Sequence, residues 1–445
     1  MPDRLQGSTW KEYYKNAWGR IQGHDNSWIL TRGLFVIFAL YLFSLAVYGD
    51  KSRFFILFFS AGLLSVWLER IDPHPEGSRN FRRLIFCTLM LFALINVTSV
   101  FGAMDLPGME FSKRNNDSFY GIFIALTLGM GLRDRRSIHH LLWQVLVFFG
   151  GWSVFELFSR STETFLVDGR FIGIRHMNPN SLGMGLVILF SVFLSYAFIP
   201  RDKRVIAVVL CGFAATIWLL LLTQARSSLL TAVFVTVPVA LITQKNWLNF
   251  KRSLVVASLV FFLISPLLAF SWYSLADEGR KSPFTVIVRL HTYESSLDIA
   301  TRQPWYRFYI GYGSIKGVNA SLTEHFGVDS HQGHSHNIFL QTLIETGILG
   351  LMTLIFIFGI ALHGVYREWK VDKQAGGDLS PVFITTIITI LVVGQMDHVL
   401  QHESGKLAWI IVGLAMAYGK LGYQESALRK SAQGGQIAEI PTGAG

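Results

Sequence analysis

Cysteine is almost missing from this chain: Cys87 and Cys211 are the two among 445 residues, and both sit inside apolar runs. They read as small core side chains, which excludes a disulfide framework and a thiol active site. Charge is scarce as well, at 15% of residues against 51% hydrophobic, and the mean hydropathy is +0.41. So little charge rules out a string of ordinary water-soluble domains. Also lacking is the alternation over about ten residues that membrane strands show, which excludes a β-barrel. A cleavable signal peptide is not expected either. The first 27 residues are polar and aromatic, and the apolar run that follows continues long enough to span. In that leader Trp10, Tyr14, Trp18 and Ile21 fall at helical spacing among Lys11, Lys15 and Arg20. They suit a short helix lying on the membrane surface, and a disordered leader is the alternative.

What the chain has in abundance is apolar runs of about 15–25 residues, the length a bilayer core of about 30 Å asks of a helix. Twelve spans are expected, at 28–48, 54–68, 84–101, 119–132, 141–158, 180–199, 205–223, 227–242, 254–273, 338–363, 381–399 and 407–421. The loops between them alternate in charge. Arg70/Arg79/Arg82/Arg83, Arg133/Arg135/Arg136, Arg201/Lys203/Arg204, Lys245/Lys251/Arg252 and Arg367/Lys370/Lys373 mark one side, which the positive-inside rule makes cytoplasmic together with both termini. The fold class is therefore an all-α polytopic membrane protein. Its domains are a cytoplasmic leader at 1–27, nine helices over 28–273, a large outer (periplasmic) loop at 274–337, three helices over 338–421 and a cytoplasmic tail at 422–445. That tail is rich in Gly, Ala and Gln and is expected to be disordered. Much of the net charge of +10 lies in the inner loops, so it reports topology and no nucleic-acid partner.

The informative basic residues are those on the outer side, and arginine dominates them. A guanidinium fork suits phosphate oxygens better than an ammonium does, so an anionic, phosphate-bearing ligand at that face is the natural expectation. Interface snorkelling and salt bridges account for some of these residues instead. "TQARSSLL", residues 223–230, places Arg226 in a tight outer hairpin, where a charge is either functional or paired. "VDGRFIGIRHMNPNSLG", residues 167–183, gathers Arg170, Arg175, His176, Asn178 and Asn180 at the start of a span, a helix N-terminus that favours anions. The asparagines suit capping, while Arg170 and Arg175 remain candidates for ligand contact.

Within the large loop the pattern predicts a helix ending at Pro304, with Arg289, Tyr293 and Ser296 on one face. Asp298 and Arg302 stand at i,i+4 in the favourable order, so an ion pair is expected there, leaving Arg289 and Tyr293 for a ligand. Trp305, Tyr306, Phe308, Tyr309 and Tyr312 follow, either stacking on sugar rings or resting on the interface. Then comes "SHQGHSHNIFLQTLIETGILG", residues 330–350, where His331, His334 and His336 run into an apolar helix. No cysteine accompanies them, so the metal signal is weak. A neutral imidazole acting as a base is the alternative, and His336, opening the helix, is the most fixed of the three. Gly347 and Gly350 lie about three and four turns on and are expected to allow close helix contact. Asp397, His398, His402 and Glu403 mark the outer end of the eleventh span, a helix-end network with Asp397 able to orient the site.

The motif His336-Asn337, nine residues, then Gly347-Ile348-Leu349-Gly350 resembles the signature of the bacterial O-antigen ligase family. Arg226 to Leu230 is similar to the family's Arg-x-x-x-Leu element, and Arg289 to the arginine of its loop helix. O-antigen polymerases and protein O-oligosaccharyltransferases share these loops and belong to the same superfamily. The resemblance implies a GT-C-like fold and a metal-independent glycosyltransferase of the inner membrane. It would carry a glycan from undecaprenyl diphosphate to the lipid A core oligosaccharide, in contact with membrane lipids and without a cofactor. Arg226, Arg289 and His336 then form the catalytic set, and Arg170, Arg175, Asn337, Tyr293 and Asp397 the substrate-binding set. A transporter of lipid-linked sugars is the reading from another class. Transporters keep charges near the midplane, whereas here they gather at one face with no internal repeat.

Overall fold

The apolar runs become helices. In the computed structural model the described residues are 36–38, 40–41, 76–102, 115–151, 166–167, 170–171, 179–199, 203–223, 225–243, 284–302, 304–313, 335–371, 379–396, 400 and 402–437. Helix α1 is Glu76–Gly102, α2 Asn115–Gly131, and α3 Arg135–Val145 with a π turn at Leu146–Gly150. A hairpin of two short strands, Leu166–Val167 and Arg170–Phe171, follows. Next come α4 at Pro179–Ala197, α5 at Lys203–Thr223, and α6, which runs through Arg226–Thr231, a π turn at Ala232–Thr236 and Val237–Ile242. Loop helices α7 (Phe284–Arg302) and α8 (Trp305–Ile310) precede α9 (Ile338–Val371), α10 (Ser380–Met396) and α11 (His402–Ile437).

Four of these helices, among the described residues, are long and apolar enough to cross a membrane: Ser78–Ser99, Asn180–Ala197, Val205–Thr223 and Ile338–Val371. Apolar but shorter stretches lie in α2, α6 and α10. The expected spans at 28–48, 54–68 and 254–273 lie wholly or mostly outside the described residues.

α11 forms the centre of the bundle. Leu407 through Tyr418 are buried all round, as a helix surrounded by other helices requires. It touches α2 so closely that a Cβ on Gly413 would press on the Ala125 backbone. Around this centre, side chains such as Leu84, Phe86, Met90, Leu91 and Leu94 of α1 and Leu349, Met352, Ile355 and Phe356 of α9 are exposed, a surface suited to lipid tails. The hydroxyls of Thr236 and Thr389 meet at 2.9 Å and those of Ser191 and Thr386 at 3.0 Å, tying α6 and α4 to α10 through the dry interior. In α6 the π turn ends two residues before Pro238, whose missing N–H disturbs the ladder.

The segments that charge alternation puts in the cytoplasm meet at one end. Arg135 contacts Glu368 at 2.6 Å, Glu425 at 2.9 Å and the Tyr418 hydroxyl at 2.9 Å. Burial opposes this charge, yet Tyr418, Glu425 and Glu368 more than offset it and hold the guanidinium above its usual range. Lys420 donates to the carbonyls of Met130 and Leu132 at 2.8 and 2.7 Å, satisfying the end of α2. For the part of the tail up to Ile437 the expected disorder is corrected, because α11 continues unbroken to that residue; 438–445 lie outside the described residues. Tertiary contacts hold its start: Tyr423 stacks on Phe81 at 4.6 Å and lies beneath Arg367 at 3.6 Å.

Candidate functional site

The opposite end of the bundle holds the candidate site. Asn337 caps α9, its Oδ1 accepting from the N–H groups of Phe339 and Leu340 at 2.9 and 3.1 Å. Its amide nitrogen lies 3.2 Å from both oxygens of Gln395, near the end of α10. Asn337 is thus buried and structural, joining two helix ends. Just before it, His336 adopts a left-handed backbone with φ 49°, the one positive-φ residue other than glycine among those described. A β-carbon is strained there, so the surrounding contacts must impose this turn.

Those contacts are visible. The Tyr293 hydroxyl stands 3.1 Å from the His336 carbonyl and 2.9 Å from the Gln395 carbonyl, so one proton is shared between α9 and α10. On the other flank, Gln341 accepts from the Ser335 N–H at 2.9 Å and from its hydroxyl at 3.2 Å, and donates to Glu345 at 2.7 Å. Ser335 in turn donates to the Asn337 carbonyl at 2.9 Å. The residues on both sides of His336 are thus held by hydrogen bonds, and His336 itself is partly buried.

Tyr293 belongs to α7, which descends beside the first turns of α9 until Ile299 packs on Ile344. The predicted helix boundary holds: α7 stops at Arg302, Pro304 follows, and Arg302 pairs with Asp298 at 2.6 Å. Arg289 lies in α7 one turn before Tyr293, on the same face of the helix. Arg226 opens α6 after a two-residue turn and is exposed. The antiparallel register of α6 against α10, with Thr243 opposite Thr385 and Thr236 opposite Thr389, carries Arg226 to the end of α10 that holds Gln395. Arg226, Tyr293 and His336 therefore share one end of the molecule. Arg170 sits in the second strand of the short hairpin, paired with Val167. Arg175, Asp397, His331 and His334 lie outside the described residues.

Gly347 has a role other than the expected one. It breaks α9, with φ 68° and ψ −172° inside an otherwise continuous helix. A Cβ there would collide with the Tyr309 carbonyl, and one on Gly311 would collide with the Glu345 carbonyl. The break frees the carbonyls of Ile344 and Glu345, which accept from the N–H groups of Tyr312 and Gly313 at 2.8 Å each. The loop after α8 is thus stitched into the wound in α9. Sequence reasoning missed Gln341, Gln395 and Arg307. The first two signal themselves as lone amides in apolar helices, and Arg307 only as one more outer arginine.

A model of the O-antigen ligase family matches residues 211–355, which include Arg226, Arg289, Tyr293, His336 and the Gly347 break. The chain is also 25% identical over 180 residues to the probable peptidoglycan glycosyltransferase FtsW of Bacillus subtilis strain 168, an alignment covering 38% of this chain and 43% of that relative. The chain thus spans less than half the length of that curated relative. In the segment that carries Arg226, Arg289, Tyr293 and His336, the chain is similar to the O-antigen ligase family.

Proposed function

We propose that this protein is a membrane glycosyltransferase that takes a glycan from undecaprenyl diphosphate and joins it to the lipid A core oligosaccharide at the periplasmic face of the inner membrane. The observation that carries this reading is His336, with a left-handed backbone, its carbonyl held by Tyr293 and its neighbour Ser335 held by Gln341, at the same end as Arg226. A partly buried residue whose backbone is fixed by its neighbours suits a positioned base.

In the proposed step His336 accepts the proton of the acceptor hydroxyl as that oxygen attacks the anomeric carbon. The bond to the diphosphate breaks on the opposite side, inverting the configuration. Arg226 and Arg289, helped by Arg170 and Arg175, receive the leaving diphosphate. Its charge grows through the step, so guanidinium groups stabilise the transition state more than the ground state. The scheme calls on no divalent ion or cofactor. Asn337 and Tyr293 act by holding the His336 turn, and Asp397 is assigned an orienting role.

The relative from Bacillus is named a probable glycosyltransferase, which favours glycosyl transfer over transport. A second reading is that carrier-linked units are joined to one another. Purified protein mixed with carrier-linked glycan and lipid A core decides between them. A shifted core glycolipid is the expected product. Longer carrier-linked chains would replace the ligase reading with a polymerase, and no covalent product would overturn both.

A further inference from the structure

The exposed apolar side chains of α9 begin at Leu349, and those of α1 end at Leu94. From the Gly347 break to Arg367 the helix rises about 30 Å, the thickness of a bilayer core. The break, with α8 packed against it, therefore lies where hydrocarbon gives way to headgroups. α8 suits that level: Trp305, Tyr306 and Tyr309 are 77%, 42% and 47% exposed, and Trp305 meets each tyrosine edge to face.

Among these rings sits Arg307, which is 7% exposed. Its Nη1 has no hydrogen-bond partner among the described residues. The remaining contacts of the guanidinium are ring faces, Tyr312 at 4.7 Å and Tyr306 at 5.7 Å, and a long 3.4 Å approach of Nε to the Tyr306 hydroxyl. Ring faces compensate a desolvated cation only in part, and a buried charge without an anion is costly. Tyr306, one of the two rings over the guanidinium, is itself exposed, which brings this cation close to the surface. An arginine with unused donors, at headgroup depth and beside exposed aromatics, is built to receive an anion from the bilayer.

We infer that Arg307 binds the phosphate of a lipid at the outer rim of the bundle, its fork holding phosphate oxygens while Trp305 and Tyr309 rest on the lipid's first carbons. Two sources carry that chemistry: the diphosphate of a polyprenyl carrier approaching the site from the side, and the headgroup of an ordinary anionic phospholipid. This inference shares with the proposed function only the placement of the helices in a membrane. Loss of glycosyl transfer in a His336 variant leaves it standing.

The test is thermal stability of the purified full chain in uncharged detergent. Farnesyl diphosphate and phosphatidylglycerol are titrated in, against farnesol and diacylglycerol as phosphate-free counterparts. The phosphate-bearing lipids raise the melting temperature of the native protein and their counterparts do not. In Arg307→Met at least half of that rise disappears, while the lipid-free melting temperature stays equal or increases, because an uncompensated buried charge has gone. Arg307→Lys keeps an intermediate rise. A larger shift with farnesyl diphosphate assigns the site to the carrier, and a larger one with phosphatidylglycerol assigns it to the headgroup. The inference is overturned if Arg307→Met retains more than half of the rise, or if it melts lower than the native chain without lipid.

Discussion

The hydroxyl of Tyr293 lies 3.1 Å from the carbonyl oxygen of His336 and so joins the outer loop to the mouth of α9. The same hydroxyl reaches the Gln395 carbonyl at 2.9 Å. Removing it by Tyr293→Phe leaves the ring in place and takes away one hydrogen bond, a loss of about 1 kcal/mol. Glycosyl transfer is expected to fall roughly tenfold through kcat, with KM little changed. A variant as fast as the native protein would show that this contact does not position the site.

The backbone of His336 separates strain from chemistry. His336→Ala keeps a β-carbon at φ 49°, whereas His336→Gly relieves it. The glycine variant is expected to be the more stable of the two by about 1 kcal/mol in denaturant unfolding. Both should lose about two to four orders of magnitude in transfer rate. Activity within tenfold of native in either one removes the base from the scheme.

Arg226 stands exposed at the start of α6, so changing it should disturb the fold little. Arg226→Ala is expected to lower transfer at least about a hundredfold with an unchanged melting temperature. Arg226→Lys should recover part of that loss, since it keeps the charge and loses the bidentate fork. Equal rates for Lys and Arg would mean that the position supplies charge alone.

Gly347→Ala tests the break in α9. The new β-carbon meets both a left-handed backbone and the Tyr309 carbonyl, neither of which can yield easily. A destabilisation of about 2–5 kcal/mol is expected, with α8 the first element to become accessible to protease. A variant with native stability and native protection of α8 would mean that the chain can run straight through this point.

At the inner end, Glu368→Ala leaves Arg135 without its closest carboxylate, 2.6 Å away. Arg135 keeps Glu425 at 2.9 Å and is itself 24% exposed, so the loss is that of one charge-assisted hydrogen bond, about 1.5–3 kcal/mol. Stability should drop while the folded fraction keeps its transfer rate, because the pair lies at the other end of the bundle from His336. A specific loss of rate at native stability would contradict this separation.

Sequence alone determined what depends on composition and on near neighbours. Hydropathy over about twenty residues placed most of the described helices. Loop charge grouped the ends that meet around Arg135. Spacing of four gave the Arg302–Asp298 pair, and the motif spacing brought out Arg226 and His336. Tertiary structure decided the rest, because it turns on residues far apart in the chain. Gly347 looked like a helix-contact glycine until the backbone at 309–313 was laid against it. The start of the tail, Tyr423 and Glu425, had no local reason to stay ordered and is held by Phe81, Arg135 and Arg367. Burial and backbone strain are properties of packing, so no reading of Arg307 or His336 in isolation reveals them.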